Sequence, residues 1–244
     1  MKIVKEPFLN YKNLYIYQDK DAFCYGIDAV LLGNFINITP AQKNILDLGT
    51  GNLPIPLILF SKYKKDIDCV EIQKEVYNLG KMTLKENHLE EKIHLFNEDI
   101  RSLDKKFNPN FYDVISINPP YFTNGKNSDK LLKVLSRHEV SITLDEILKM
   151  VSYLLNNKGH FYMIHRTERF LEIVSKLKSY NLTPKRVCFV HPNLGTKSKL
   201  FLIDCIKDGR EGLTVEKPII IYDGKQYRKE IKEMLGEVND TEEL

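Results

Sequence analysis

The sequence predicts an α/β fold: a mostly parallel seven-stranded sheet with an antiparallel closing strand and helices on both faces. Short apolar runs of strand character alternate with helical segments from about residue 44 onward. Repeated β-α-β units give a parallel sheet, because right-handed crossovers return each helix to a face of the sheet. With 244 residues, 43% of them hydrophobic, the chain is long enough to fill the core of a single domain, residues 1–244.

The hydrophobic patterns place the elements as follows. Strands are predicted at 44–48, 67–71, 92–97, 112–118 and 159–165, with a closing antiparallel pair at 186–191 and 199–206. Helices are predicted at 53–63, 74–87, 143–155 and 168–180, the third opened by a capping box from Thr143 to Glu146. We expect residues 1–43 to cap the ligand cleft, with a helix starting at 26–32. Residues 122–140 are expected to form a mobile substrate loop and 237–244 a frayed acidic tail.

The composition limits the partners and the compartment. The net charge is only +3, so any basic surface for nucleic acid must be local. The four cysteines form no CxxC pair, which predicts neither a zinc site nor disulfides and suits a reducing cytoplasm. The N-terminus has no apolar signal region, and no apolar run is long enough to span a bilayer.

The segment from Asp47 to Pro54 follows the first predicted strand and contains glycines at 49 and 51. Glycines there let the backbone turn sharply and approach a ligand. A dinucleotide site is disfavoured, because Pro54 replaces the third glycine of that fingerprint and Asp47 would repel a pyrophosphate. Asp47 suits a ligand that carries an ammonium and a sulfonium group, which indicates S-adenosylmethionine.

Two further acids stand at the ends of the next two strands. Glu71 is placed to accept hydrogen bonds from two ribose hydroxyls, and Asp99 from an adenine amino group. A single acid is more often an exposed loop charge. Three acids at three successive strand ends, one of them attached to a glycine turn, favour a binding site.

The fourth strand ends in Asn118-Pro119-Pro120-Tyr121. An exocyclic amine is a poor nucleophile because its lone pair is delocalised into the ring. The Asn118 side-chain oxygen and the Pro119 carbonyl are predicted to accept the amine hydrogens, with the prolines fixing their direction. Tyr121 offers a flat face on which a base can stack. No strong general base is needed, since the methylated product is acidic and loses its proton to solvent.

These motifs, in this order, resemble the Rossmann-like class I amino methyltransferases. Finer features at 26–32, 69–73, 136–139, 165–166 and 189–192 resemble the bacterial tRNA(Val) adenine-37 N6-methyltransferase family over nearly the whole chain. The resemblance implies methyl transfer to N6 of an adenine beside the anticodon, with tRNA as the partner. One departure is the stretch 52–54, where relatives often have Gly or a residue other than Pro. The predicted cofactor-binding residues are Asp28, Asp47, Gly49, Thr50, Gly51, Asn52, Glu71, Ile72, Asp99, Ile100 and Asn118.

Several other residues are assigned to the substrate, and alternatives remain open. The predicted substrate-binding residues are Tyr121, Phe122, Arg137, His138, Arg166, Lys197 and Lys199. His138 and His165 could instead be catalytic, although amine methylation needs no histidine, and no metal site is predicted. Lys185 and Arg186 could contribute to a basic rim, and the protein is expected to be a monomer or a homodimer.

Three rival functions share parts of this pattern. The first is methylation of an amine in ribosomal RNA or DNA. The second is methylation of a protein glutamine amide, although the 43 residues before the first strand are few for the extra helical domain of such enzymes. The third is a catalytically idle RNA-binding module, against which the intact set of acceptors argues.

Overall fold

The computed structural model describes residues 2–9, 11, 13–119 and 142–237, and every structural statement below refers to these residues. The strands in chain order are β1 (Ile3–Pro7), β2 (Tyr15–Asp19), β3 (Ile45–Leu48), β4 (Ile67–Val70), β5 (Ile93–Phe96), β6 (Tyr112–Ile117), β7 (Leu155–Arg166), β8 (Leu182–Asn193), β9 (Leu200–Lys207), β10 (Thr214–Val215), β11 (Ile219–Asp223) and β12 (Gln226–Tyr227). The helices are α1 (Ile27–Phe35), α2 (Pro54–Tyr63), α3 (Lys74–Asn87), α4 (Leu144–Leu154), α5 (Phe170–Ser179) and α6 (Lys229–Met234), with short 3-10 turns at Ile100–Lys105 and Thr167–Arg169.

The main sheet has the order β12-β11-β8-β9-β7-β6-β3-β4-β5, with β10 beside β8. The neighbouring strands β5, β4, β3, β6 and β7 are parallel, and β9 lies antiparallel between β7 and β8. These seven strands are the predicted sheet with its antiparallel closing strand. The short strands β10, β11 and β12 extend it beyond β8 and were not predicted. Two residues, as in β10 and β12, carry too little periodicity to be recognised.

Two hydrophobic layers cover the faces of the sheet. One layer packs α1, α2 and α6 against residues such as Tyr162 and Leu202. The other packs α4, α5 and the first 3-10 turn against Ile115 and Phe161. Because both faces are covered, the central strands β3 and β6 are buried almost throughout and mostly apolar, as central parallel strands are.

The N-terminal strands β1 and β2 form a separate antiparallel hairpin that packs on α3. Along β2, the Tyr15 N–H donates to Asn87 Oδ1 (2.8 Å) and the Tyr15 carbonyl accepts from Asn87 Nδ2 (2.7 Å). Two residues further on, the Tyr17 N–H donates to Thr83 Oγ1 (3.0 Å) and the Tyr17 carbonyl accepts from Asn52 Nδ2 (2.8 Å). Three side chains thus satisfy the strand edge that β1 leaves uncovered.

Most predicted elements lie within a few residues of their predicted bounds. The capping box before α4 is confirmed, with both Thr143 and Glu146 side chains bonded to the opposite backbone N–H. The helix predicted at 168–180 begins instead as a 3-10 turn and becomes α-helical at Phe170. The predicted loop 122–140 and residues 238–244 of the predicted tail lie outside the described residues.

Candidate active site

The carboxyl ends of β3, β4 and β6 border one cavity of about 480 Å³. Open parallel sheets bind their ligands at this edge. Ten of the predicted site residues line it: Asp28, Gly49, Thr50, Gly51, Glu71, Ile72, Asp99, Ile100, Asn118 and Pro119. Most of the predicted site residues that the structure describes therefore lie at this cavity, although other residues, such as Phe23 and Tyr25, contribute much of its wall.

The turn between β3 and α2 forms the floor of the cavity. Gly49 and Gly51 have φ angles of +61° and +62°, which residues other than glycine rarely adopt. A Cβ on Gly49 would meet no atom within 4 Å, so the space above it is open for a ligand. A Cβ on Gly51 would stand 2.9 Å from the Phe23 ring, so the N-terminal segment closes tightly over the second glycine.

Asp47 lies behind this turn, is fully buried and does not line the cavity. Its Oδ1 accepts from the Ser116 hydroxyl at 2.5 Å across the β3–β6 pair, and its Oδ2 makes no hydrogen bond with any described residue. Burial raises the pKa of Asp47 to about 7, against the lowering effect of the Ser116 hydrogen bond. Asp47 thus lies behind the cavity wall, and its assignment to the cofactor stays a prediction.

Glu71 reaches the cavity from the end of β4. Its carboxylate accepts from the Gly51 N–H (3.0 Å) and the Gln73 N–H (2.8 Å), so its position is fixed by the glycine turn itself. Burial raises the pKa of Glu71, while these backbone donors act in the opposite direction. Asn97 adds a second support, because its Nδ2 donates to the carbonyls of Glu71 (2.8 Å) and Ile72 (3.0 Å).

Asp99 lines the cavity after β5, and Arg101 binds its carboxylate. Arg101 donates to it from the backbone N–H (2.8 Å), from Nε (2.9 Å to Oδ2) and from Nη2 (2.6 Å). Partial burial acts to raise the pKa of Asp99, but the Arg101 hydrogen bonds and charge outweigh it and lower the pKa overall. An amino group that approaches Asp99 would therefore share the carboxylate with Arg101.

Asn118 and Pro119 follow β6 and border the same cavity, Asn118 half-buried and Pro119 buried. The other predicted residues of this region lie outside the described residues: Pro120, Tyr121, Phe122, Arg137 and His138. Sequence reasoning did not single out Phe23, Tyr25 and Ser116. Ser116 had a signal, since it is a polar residue between two isoleucines in the buried part of its strand.

Besides Asp47, four predicted site residues do not line the cavity. Asn52 does not line it, and its amide binds the Tyr17 carbonyl of the hairpin instead. Arg166, Lys197 and Lys199 lie at the same edge of the sheet, but on β7 and on the β8–β9 turn.

His165 and Arg186, two further candidates from the sequence, make contacts within the fold rather than at the cavity. His165 is buried on β7 and its Nδ1 accepts from the Arg166 N–H (2.8 Å). Burial, reinforced by the charge of Arg169, lowers the pKa of His165 to about 4, so it is neutral at pH 7. Arg186 is not part of a basic rim, because Asp204 (3.0 Å) and Glu216 (3.1 Å) neutralise it.

Residues 14–180 match the family model described as the methyltransferase small domain, and this range contains the whole cavity. The chain belongs to this family. It is 30% identical over 94% of its length to a tRNA1(Val) (adenine(37)-N6)-methyltransferase of Histophilus somni, of which it covers 96%. It is 28% identical over 95% of its length to the Bacteroides thetaiotaomicron protein of that description, again covering 96%. The resemblance expected from the sequence motifs is confirmed.

The solved structures that resemble this methyltransferase confirm the Rossmann-like fold. A protein described as a predicted O-methyltransferase from Agrobacterium tumefaciens superposes with a TM-score of 0.69 at 18% identity, over 86% of this chain and 95% of its own. A geranyl diphosphate methyltransferase structure in complex with S-adenosylmethionine has a TM-score of 0.56 at 11% identity, over 74% and 84%.

Two further properties concern only the described part of the chain. Residues 2–119 and 142–237, apart from the gaps at 10 and 12, contain no helix of the length and apolar character needed to cross a bilayer. The same residues contain no group of three or more His, Cys, Asp or Glu side chains that could hold a metal ion.

Proposed function

We propose that this chain transfers a methyl group from S-adenosylmethionine to the exocyclic N6 of an adenine in tRNA, at position 37 beside the anticodon of tRNA(Val). The proposal rests on one observation: the same cavity is lined by Asn118 and Pro119 and by the acids Glu71 and Asp99. Acceptors for an amine thus stand next to acceptors for a nucleoside. The relatives that match nearly the whole chain are described as enzymes with this activity. A tRNA substrate implies that the enzyme works in the cytoplasm.

The residues present fit the cofactor. Glu71 is 5% exposed and held by two backbone donors, which leaves its remaining lone pairs available to ribose hydroxyls. Ile72 and Ile100 provide apolar walls for a flat adenine ring, and Asp99 provides an acceptor for its amino group. The open space above Gly49 admits the rest of the molecule. Glu71 and Asp99 in the wall, with Asp47 behind it, favour a cationic ligand.

The chemistry of the chain's own residues is orientation of the target amine. When bound, S-adenosylmethionine supplies an electrophilic methyl group. Asn118 Oδ1 and the Pro119 carbonyl accept the two amine hydrogens, which holds the nitrogen lone pair toward the cavity and favours its sp³ geometry. His165 does not act as a base at this site, because it is buried in β7 and absent from the cavity wall, and its pKa of about 4 makes it a weak proton acceptor at pH 7.

The test is to incubate the protein with labelled S-adenosylmethionine and one acceptor at a time. The acceptors are a tRNA(Val) transcript, the same transcript with guanine in place of the target adenine, ribosomal RNA, DNA and a protein extract. We expect N6-methyladenosine in the first transcript alone. Label on ribosomal RNA, DNA or protein, or label that persists in the transcript with the guanine substitution, would contradict the proposal.

A variant tests the role of Asn118. Asn118→Ala should lower kcat by about 100-fold or more, the usual effect of removing one preorganised hydrogen-bonding group. The Kd for S-adenosylmethionine should change much less, because Glu71, Asp99 and the glycine turn supply most of the predicted contacts to the cofactor. Asn108→Ala, which alters an exposed amide on the turn before β6, serves as the control and should retain full activity.

A further inference from the structure

We propose that three neighbouring turns beyond the cavity form a second RNA-binding surface, which holds the tRNA backbone while the target base enters the site. This surface, called here the basic ridge, consists of residues 166–169 after β7, residues 193–199 of the β8–β9 turn and residues 223–228 around the β11–β12 turn. The inference rests on the proposed function. It concerns where the tRNA is held rather than whether it is methylated.

The sheet topology brings the three turns together at the edge that also carries the cavity. The strands β7, β9, β8 and β11 are consecutive neighbours in the sheet. Arg166 pairs with Leu200 at the start of β9, and Asn193 pairs with Tyr222 near the end of β11. Since neighbouring strands lie about 4.8 Å apart, the basic ridge extends from about 5 Å to about 20 Å from β6. The basic ridge therefore lies beside the cavity, along the same edge of the sheet.

Positive charge is concentrated on this surface. The three segments contain six Lys or Arg residues and two acids, Glu168 and Asp223, although the whole chain has a net charge of only +3. Lys197, Lys199 and Lys225 are exposed, and none of them forms a salt bridge with a described residue. Exposed ammonium groups of this kind attract phosphates by charge and by release of the counterions around RNA.

Two arginines of the ridge, Arg169 and Arg228, already lie near acidic side chains. Arg169 pairs with Glu172 at 2.6 Å, and Arg228 lies 3.8 Å from Glu230. The three lysines, which form no salt bridge with a described residue, are therefore the residues to test.

Hydrogen bonds of the backbone and of side chains join the three turns into one surface. The Thr167 N–H donates to the Lys199 carbonyl (3.1 Å), and the Thr167 and Ser198 hydroxyls are bonded at 2.9 Å. Within the second turn, Thr196 Oγ1 donates to the Asn193 carbonyl (2.6 Å). In the orientation that its surroundings favour, the Asn193 amide donates to the carbonyls of Tyr222 (3.3 Å) and Gly224 (3.2 Å) of the third turn. A surface ordered before binding loses less conformational entropy on binding.

The shape of the surface favours a polymer over a small anion. A free phosphate or nucleotide needs donors that converge on one point, whereas these lysines stand on separate turns along a sheet edge. Leu194 is 79% exposed at the tip of the second turn, where it offers an apolar contact to a sugar or an unstacked base. An RNA chain that runs from the cavity along the sheet edge would meet both features.

The experiment compares two variants of equal charge. The ridge variant replaces Lys197, Lys199 and Lys225 by Glu. The control variant replaces Lys43, Lys64 and Lys217 by Glu, three exposed lysines that precede β3, β4 and β11 at the opposite edge of the sheet. Each Lys→Glu exchange lowers the charge by two, so both variants change the net charge from +3 to −3.

We expect the ridge variant to raise both the KM and the Kd for tRNA roughly 10-fold or more, and to lower the slope of log Kd against log salt by about 2. Its kcat and its Kd for S-adenosylmethionine should stay within about twofold of the unaltered protein, because the cavity is untouched. The control variant should change the KM for tRNA by less than about threefold, the part due to net charge alone.

Three outcomes would overturn the inference. Equal effects of the two variants would mean that net charge alone matters. A ridge variant with unchanged KM and salt slope, while the unaltered protein methylates tRNA, would exclude the ridge and leave the proposed function standing. If the unaltered protein neither binds nor methylates tRNA, the proposed function and the inference fail together. The measurement on the unaltered protein therefore separates this outcome from the other two.

Discussion

Asp47 has the most unusual surroundings of the residues in the predicted motif. It is fully buried, one of its oxygens has no described hydrogen-bond partner, and burial raises its pKa to about 7 from an ordinary 3.8. Because this pKa is raised, the protonated form is favoured in the fold. The resulting contribution to stability is complete below pH 3.8 and is lost as the pH rises through 7.

A cation in the neighbouring cavity favours the ionised carboxylate, so cofactor binding should lower the pKa of Asp47 and release a proton. We expect the affinity for S-adenosylmethionine to rise roughly 3- to 10-fold between pH 6 and pH 8, since one unit of pKa shift corresponds to a factor of ten. Isothermal titration calorimetry in buffers of different ionisation enthalpy measures the affinity and the proton release. Asp47→Asn should remove both effects; an unchanged pH dependence in that variant would assign them to another group.

At the scale of single residues, the sequence predicted which residue types belong to the site better than it predicted where each side chain points. Glu71 and Asp99 were assigned to the site because acids at strand ends are visible in one dimension, and both line the cavity. Asn52 belongs to the same turn, yet its amide binds the Tyr17 carbonyl, 35 residues earlier. The partners of Arg186, Asp204 and Glu216, are likewise distant in sequence. Such contacts depend on tertiary packing, which no local pattern contains.

At the scale of elements, the N-terminal hairpin depends on side chains for its attachment. Asn87 at the end of α3 bonds both backbone groups of Tyr15, in the manner of a neighbouring strand. Asn87→Ala should therefore cost about 1–3 kcal/mol of stability, because it leaves the partly buried Tyr15 groups without partners. The variant should also bind the cofactor more weakly, since the chain that leaves β2 supplies Phe23 and Tyr25 to the cavity wall.

Hydrogen exchange with mass spectrometry checks this prediction. Exchange should accelerate in residues 3–19 and remain unchanged in β3 and β6. Asn34→Ala is the control, since the Asn34 side chain bonds only the Val30 carbonyl of its own helix in the described structure. Faster exchange across the whole sheet in the Asn87 variant would show a global loss of stability rather than a detached hairpin.

The elements differ in how well local sequence defines them. The capping box before α4 was predictable because all its partners lie within four residues. The strands β10 and β12 have two residues each and exist only because β8 and β11 offer edges for pairing. Their positions matter for function, since the β11–β12 turn completes the basic ridge.

At the scale of the whole molecule, the two edges of the sheet are chemically different. Toward the amino edge, the Asp68 carboxylate is hydrogen-bonded to both the His94 ring (3.0 Å) and the Tyr112 hydroxyl (2.7 Å). At the carboxyl edge, the cavity presents Glu71 and Asp99, and the basic ridge presents lysines that form no salt bridge with a described residue. Negative charge near the cationic cofactor and positive charge where RNA passes are both expected for a methyltransferase of this kind.

The cavity wall joins several parts of the chain that are distant in sequence, and three of them are residues 19–29, the glycine turn with the end of β4, and the end of β6. A ligand that contacts all three should stabilise the fold as a unit. At 100 times its Kd, S-adenosylmethionine should add about 2.7 kcal/mol, which raises the Tm by roughly 5–10 °C for a chain of this size.

Differential scanning calorimetry measures this shift, and hydrogen exchange locates it. Protection should increase in residues 19–29 together with the glycine turn, because the ligand bridges them. Glu71→Gln should lose most of the Tm shift, since an amide offers fewer acceptors to the ribose hydroxyls than a carboxylate does. Asn108→Ala should keep the full shift. Protection confined to the glycine turn, with residues 19–29 unaffected, would mean that the N-terminal segment borders the cavity without closing on the cofactor.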